Sequence, residues 1–137
     1  MNDEKVVVDT NIISYIMKET KEAALYMPHV QGKSLWIAFI TVGELYYGAE
    51  NDKWGDRKRQ QLETTLRNFR VIPYDYEIAR CYGRLVVERK RNGRPIDPND
   101  AWIAACTVRH GVPLITHNAK DFDGISGLKI ITERFSE

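Results

Sequence analysis

At 137 residues, 43% hydrophobic and 28% charged, the chain has the composition of one globular domain and lacks the low hydrophobicity of a disordered segment. Its net charge of +1 excludes a polycation, so any contact with nucleic acid has to come from a local basic patch. Cys81 and Cys106 stand too far apart for a zinc cluster or a disulfide framework and are expected as buried thiols. No apolar run approaches the length that spans a bilayer, and Asp3 and Glu4 before three valines do not make a secretory leader, so a soluble, cytoplasmic protein without a membrane partner is expected.

Taken in chain order, Lys5 to Val8 reads as a short buried strand. Asn11 to Lys18 is helical, with Ile12, Ile13, Ile16 and Met17 on one stripe. Glu19 to Met27 predicts a weaker helix ended by Pro28, and Ser34 to Ile40 a second strand. Thr41 then caps a helix carrying Leu45, Tyr46 and Tyr47, and Trp54 to Asn68 is a charged helix with Leu62, Leu66 and Phe69 on its apolar face. Phe69 to Tyr74 reads as an edge strand stopped by Pro73. Asp75 to Asn92 is a long helix with Ile78, Leu85 and Val86 inward, stopped by Gly93. Asp97-Pro98 opens the next helix, which Gly111 ends. Val112 to Thr116, a helical turn from Ala119, and Leu128 to Thr132 complete the chain. Strands alternating with helices predict an α/β three-layer sandwich, one domain over 1–137, with a mostly parallel sheet of about five strands.

Acidic residues recur where strand-like runs give way to helices: Asp9 after Val6-Val7-Val8, Glu44 after the Leu35 to Ile40 run, Asp121 after Leu114-Ile115-Thr116, with Asp100 opening a helix of its own. Each alone has a bland explanation, because acids are favoured in the first helical turn and Thr41-Val42-Gly43-Glu44 has the pattern of a capping box. Jointly they are harder to explain. In an open α/β sheet these junctions share one edge, and a like-charge pair about 4 Å apart costs on the order of 4 kcal/mol at an effective dielectric near 20. Oxygen-rich acidic clusters are relieved by hard divalent cations such as Mg²⁺ or Mn²⁺. Thr10, Asn11, Thr116 and Asn118 at the same junctions are expected to orient carboxylates, water or phosphate, with helix capping as the alternative for Thr10 and Asn118. His117 beside them is read as a surface residue or a phosphate neighbour.

The ordered set Val7-Val8-Asp9-Thr10-Asn11, Thr41-Val42-Gly43-Glu44-Leu45-Tyr46-Tyr47-Gly48, Asn99-Asp100-Ala101-Trp102, Pro113-Leu114-Ile115-Thr116-His117-Asn118 and Asp121-Phe122 resembles the PIN-domain ribonucleases, in particular the toxins of VapBC-type toxin–antitoxin modules. The resemblance covers essentially the whole chain. It implies a Rossmann-like sandwich and Mg²⁺- or Mn²⁺-dependent hydrolysis of RNA to a 5′-phosphate and a 3′-hydroxyl. By position, Asp9, Glu44, Asp100 and Asp121 match the family's acidic quartet as catalytic residues and metal ligands. Thr116, Asn11 and Asn118 match its polar neighbours, while Asp97 and Asp123 fall outside it as a helix cap and a surface acid. The resemblance also implies a homodimer and a small cognate antitoxin, for which Trp54, Tyr46, Tyr47 and Tyr82 are interface or core residues.

Two basic runs are available to RNA phosphates. Arg89-Lys90-Arg91 with Arg94 precedes Asp100 and is read evenly as an RNA contact or a solvated helix face; Arg57-Lys58-Arg59 is read as a solvated face. A haloacid-dehalogenase phosphatase would want a second acid where Asn11 stands, and a phospho-receiver domain would want paired acids at the first strand end, where Asp9 is alone. The remaining alternative is a PIN-fold RNA-binding or interaction subunit that does not cut.

Overall fold

The structure, a computed structural model, describes residues 4–133. The ends of the expected single domain, 1–3 and 134–137, lie outside the described residues, and Asp3 with them. Five parallel strands form one sheet: β1 (Lys5–Val8), β2 (Ser34–Ile37), β3 (Arg70–Val71), β4 (Leu114–Ile115) and β5 (Ile130–Ile131), in the order β3-β2-β1-β4-β5. Around it lie α1 (Thr10–Lys18), α2 (Lys21–Val30), α3 (Phe39–Asn51), α4 (Asp56–Leu66), α5 (Tyr76–Arg91), α6 (Pro98–His110) and α7 (Ala119–Phe122). The expected α/β class holds, and the sheet is parallel throughout.

β1 is central, paired with β2 through Val7↔Trp36 and with β4 through Val7↔Leu114. Helices cover both faces of a parallel sheet, which is why β1 is an unbroken valine run and does not alternate. Val6 and Val8 join Ile12, Ile13, Met17, Tyr26, Val30 and Leu62 from α1, α2 and α4. Val7 joins Ile78 and Leu85 of α5, Ile103 and Ala104 of α6, and Phe122 of α7. Helix α3 contributes Leu45 and Ala49 to the first core and contacts both α1 and α6. Cys81 and Cys106 are buried free thiols, and burial pushes the Cys106 thiol up to about 11. Among the described residues no helix is long and apolar enough to cross a membrane.

Several expected boundaries move. Pro28 does not end the second helix, which continues to Val30. Proline costs a helix its i→i−4 bond, but Pro28 and Ala24 are both exposed and the last turn still closes through Gln31 N–H to Met27 O at 2.9 Å. The second strand stops at Ile37, and Phe39-Ile40 begin α3. Thr41 is therefore a buried residue inside that helix and not its cap, its amide donating to Ala38 O at 3.0 Å. The third, fourth and fifth strands shrink to two residues each, the parts that pair within the sheet.

Candidate active site

The sheet reverses its direction of growth between β1 and β4, since β2 and β3 lie to one side and β5 to the other. A crevice outside the carboxyl ends of such strands is where ligands bind in this class of sheet. Asp9 leaves the end of β1 and Thr116 the end of β4, both buried. Thr116 Oγ1 donates to Asp9 Oδ2 at 2.7 Å and accepts from the Asn118 amide at 3.0 Å. The Thr10 amide donates to Asp9 Oδ1 at 2.8 Å, which makes Asp9 the N-cap of α1. Both carboxylate oxygens thus have a donor, and the side chain is fixed.

Glu44 reaches the same edge from the second turn of α3. Its Oε1 accepts from Thr10 Oγ1 at 2.7 Å, and its Oε2 lies 3.5 Å from Asn99 Nδ2. The Thr10 hydroxyl is also 3.1 Å from that of Thr41, which stands one turn before Glu44 on the same side of α3. Glu44 is therefore not the arm of a capping box. Asp97 caps α6 by accepting from the Asn99 amide at 2.9 Å, which leaves Asp100, in the first turn of that helix, half-buried and uncommitted. Asp121 lies exposed in α7. Among the described residues, neither the Asp100 nor the Asp121 carboxylate accepts a hydrogen bond, and no Lys, Arg or His pairs with any of the four acids.

The four carboxylates feel one another. Burial pushes the Asp9 carboxyl above the usual range, the Thr116 and Thr10 hydrogen bonds pull it back, and the Glu44 and Asp121 charges push it up again. Burial first, then the charges of Asp9, Asp121, Asp97 and Glu44, raise Asp100 to about 7. Among the described residues no three acidic, histidine or cysteine side chains already stand in a metal-ligating arrangement. The donor chemistry still fits a hard divalent cation. It is all oxygen, and among the described residues it carries no counter-charge and the Asp100 and Asp121 carboxylates are not tied down. Among the described residues, Asn11 Oδ1 at the start of α1 is buried without a hydrogen-bond partner, an acceptor that would suit a water's O–H.

Other residues singled out by the sequence divide between the site and the scaffold. Asn118 meets Thr116 through its amide, and its side chain does not cap α7. His117 turns to α2, with Nδ1 2.7 Å from the Tyr26 hydroxyl, and so does not face a phosphate at the acids. Of the basic run, Lys90, Arg91 and Arg94 are exposed, whereas Arg89 is buried and donates to backbone carbonyls. That burial removes Arg89 from the residues able to meet RNA. Arg59 ties α4 to the end of α3 through Trp54 O and Glu50. Tyr82 stacks on Trp102 with ring centroids 3.8 Å apart, while Tyr46 and Tyr47 are exposed. Phe39, Ile40, Gly43 and Tyr47 line an open depression next to Glu44 and Asn99. The sequence does not single out Asn99; its place one residue before Asp100 in a helical first turn is the signal that it shares the site.

Residues 6–128 match the family described as PIN domain. The chain is 30% identical over 125 residues to Ribonuclease VapC2 of Haemophilus influenzae, covering 91% of this chain and 95% of that protein. It is 29% identical over 125 residues to the tRNA(fMet)-specific endonuclease VapC of Shigella flexneri, with the same coverage. Among solved structures it resembles VapBC2 of Rickettsia felis bound to a promoter DNA fragment, with a TM-score of 0.83 at 25% identity over 93% of this chain and 98% of that one. It also resembles VapBC-1 of nontypeable Haemophilus influenzae, with a TM-score of 0.80 at 32% identity over 93% and 97%.

Proposed function

The chain belongs to the PIN-domain family, among the VapC ribonucleases, and from that premise we propose that it is the toxin of a toxin–antitoxin pair, an endoribonuclease whose acidic cluster Asp9, Glu44, Asp100 and Asp121 works with Mg²⁺ or Mn²⁺. One observation carries the metal assignment: four carboxylates at the sheet's reversal, none of them paired with a cation among the described residues, two with pKa values pushed upward by burial and by neighbouring carboxylates. Acids so placed favour whatever brings positive charge to them.

Asp9, held by Thr116 and Thr10, is the rigid ligand. Glu44 is tied through Thr10 and Asn99, and Asp100 and Asp121 are left to adjust. When bound, a divalent cation lowers the pKa of a water and offsets charge on phosphate oxygens. Asn11 Oδ1 is placed to accept from a water at the start of α1. Exposed Lys90, Arg91 and Arg94 supply phosphate contacts that do not depend on sequence. The exposed Phe39, Tyr46 and Tyr47 on α3 suit a partner surface, either a second copy or the antitoxin.

Transfer RNA is the first substrate to try, because the Shigella flexneri relative is named for tRNA(fMet). Attack by an external water predicts products with 5′-phosphate and 3′-hydroxyl ends. Purified protein incubated with tRNA and total RNA in Mn²⁺, followed by end-group mapping, tests this. Cuts bearing 2′,3′-cyclic phosphates would contradict it.

A further inference from the structure

Arg89 sits in the last turn of α5, 5% exposed, with no carboxylate pairing among the described residues. A buried guanidinium without a counter-ion is costly unless its N–H groups are taken up. Here Nε donates to Arg94 O at 2.7 Å, and Nη1 donates to Asp121 O at 2.9 Å and Asp123 O at 3.0 Å. Asp121 is inside α7, and Asp123 is its C-cap residue.

That helix has four residues, so its terminal carbonyls have no intrahelical donor. It lacks a side-chain N-cap bond, and its start is tied through the Asn118 amide to Thr116. Phe122 anchors it in the core, and Arg94 adds an exposed ion pair to Asp123 at 3.2 Å. Arg94 Nη2 also reaches Lys120 O at 3.4 Å from the exposed side, so among the described residues the ties to α7 carbonyls that come from a buried side chain are those of Arg89.

We infer that Arg89 is a positioning residue: its guanidinium caps the carbonyl end of α7 and so fixes the backbone that delivers the Asp121 side chain to the acidic cluster. The inference rests on the nuclease reading above. It also gives the buried member of the basic run a role that its neighbours Lys90 and Arg91, both exposed, do not share.

The test measures Mn²⁺ affinity by electron paramagnetic resonance, together with kcat and KM on RNA, for wild type, Arg89→Lys, Arg89→Gln, Asp121→Asn and the Arg89→Lys/Asp121→Asn double variant, with circular dichroism as the check on folding. Arg89→Lys keeps the charge and loses the fork, and it should weaken Mn²⁺ binding by about tenfold to a hundredfold and lower kcat with KM little changed. In the Asp121→Asn background the same substitution should change Mn²⁺ affinity by less than about twofold. Equal weakening in both backgrounds, or wild-type affinity in Arg89→Lys, would overturn the positioning role. So would failure of both Arg89 variants to fold, which would make Arg89 a residue of global stability. A wild-type chain that neither binds Mn²⁺ nor cuts RNA removes the nuclease reading itself, and this inference with it.

Discussion

The Thr116 hydroxyl donates a 2.7 Å hydrogen bond to Asp9 Oδ2, joining the ends of β1 and β4 where the sheet reverses. The bond favours the ionised carboxylate and opposes the burial that pushes Asp9 toward protonation. Thr116→Val removes the donor at nearly constant volume. Activity should fall by about tenfold to a hundredfold, as when other groups that orient metal ligands are removed. Thr116→Ser should retain most of it. Cleavage rates of the two variants at saturating Mn²⁺ check this, and equal rates would show that the hydroxyl is not needed.

Asp100 makes the metal-free protein sensitive to pH. Its folded pKa, about 7, lies above the ordinary 3.8, so the native state binds the proton more tightly than the unfolded chain does. The stabilisation is complete at low pH and is lost as pH rises toward and through 7. Asp9 shifts in the same direction. Asp75 and Glu88 run the other way: the Ile78 amide holds Asp75 low and Ser126 holds Glu88 low, so their contributions fade only in acid. In EDTA, Asp100→Asn should exceed wild type in stability by on the order of 2 kcal/mol at pH 8, a figure that allows for solvent screening at a half-buried site, with the gap closing toward pH 4. Denaturant unfolding at the two pH values measures the gap.

Metal should reverse that instability. A ligand that binds only the native state adds about 2.7 kcal/mol at a hundredfold excess over its dissociation constant. Mn²⁺ or Mg²⁺ should therefore raise the melting temperature of wild type, and raise that of Asp100→Asn or Asp9→Asn far less. A differential thermal scan with each ion decides it. Equal shifts in all three proteins would place the bound ion elsewhere.

Exposed Lys90 and Arg91 bear on RNA affinity and not on chemistry. Replacing both with Ala should weaken binding and flatten its salt dependence, by about 0.7 in the log–log slope for each single-strand phosphate no longer neutralised. Titrating RNA binding of the Asp100→Asn protein against salt, with and without these changes, reads the slope while cleavage is suppressed.

Much of this site was legible from residue order. A valine run ending in Asp9 requires a buried strand with a charge at its carboxyl end, and Leu114-Ile115-Thr116 repeats the arrangement next to it. What stayed hidden depended on tertiary packing. Phe39-Ile40 look like strand residues, yet they open α3 behind Ala38, which offers no capping side chain. The inward turn of Arg89 left a trace in the spacing, since Ile78, Cys81, Leu85 and Arg89 fall on one buried stripe of α5. Charge alone conceals this, because buried arginines are rare. Thr10 serves Asp9 through its amide and Glu44 through its hydroxyl, a double use that appears only once α1 and α3 are packed together.

Cleavage of RNA by wild type and Asp100→Asn, each in Mn²⁺, Mg²⁺ or EDTA, is the most direct test of a metal-dependent nuclease built on these acids. Discrete cuts by wild type with metal, and none by Asp100→Asn or in EDTA, are expected. Wild-type cutting in EDTA, or undiminished cutting by a folded Asp100→Asn protein, would contradict it.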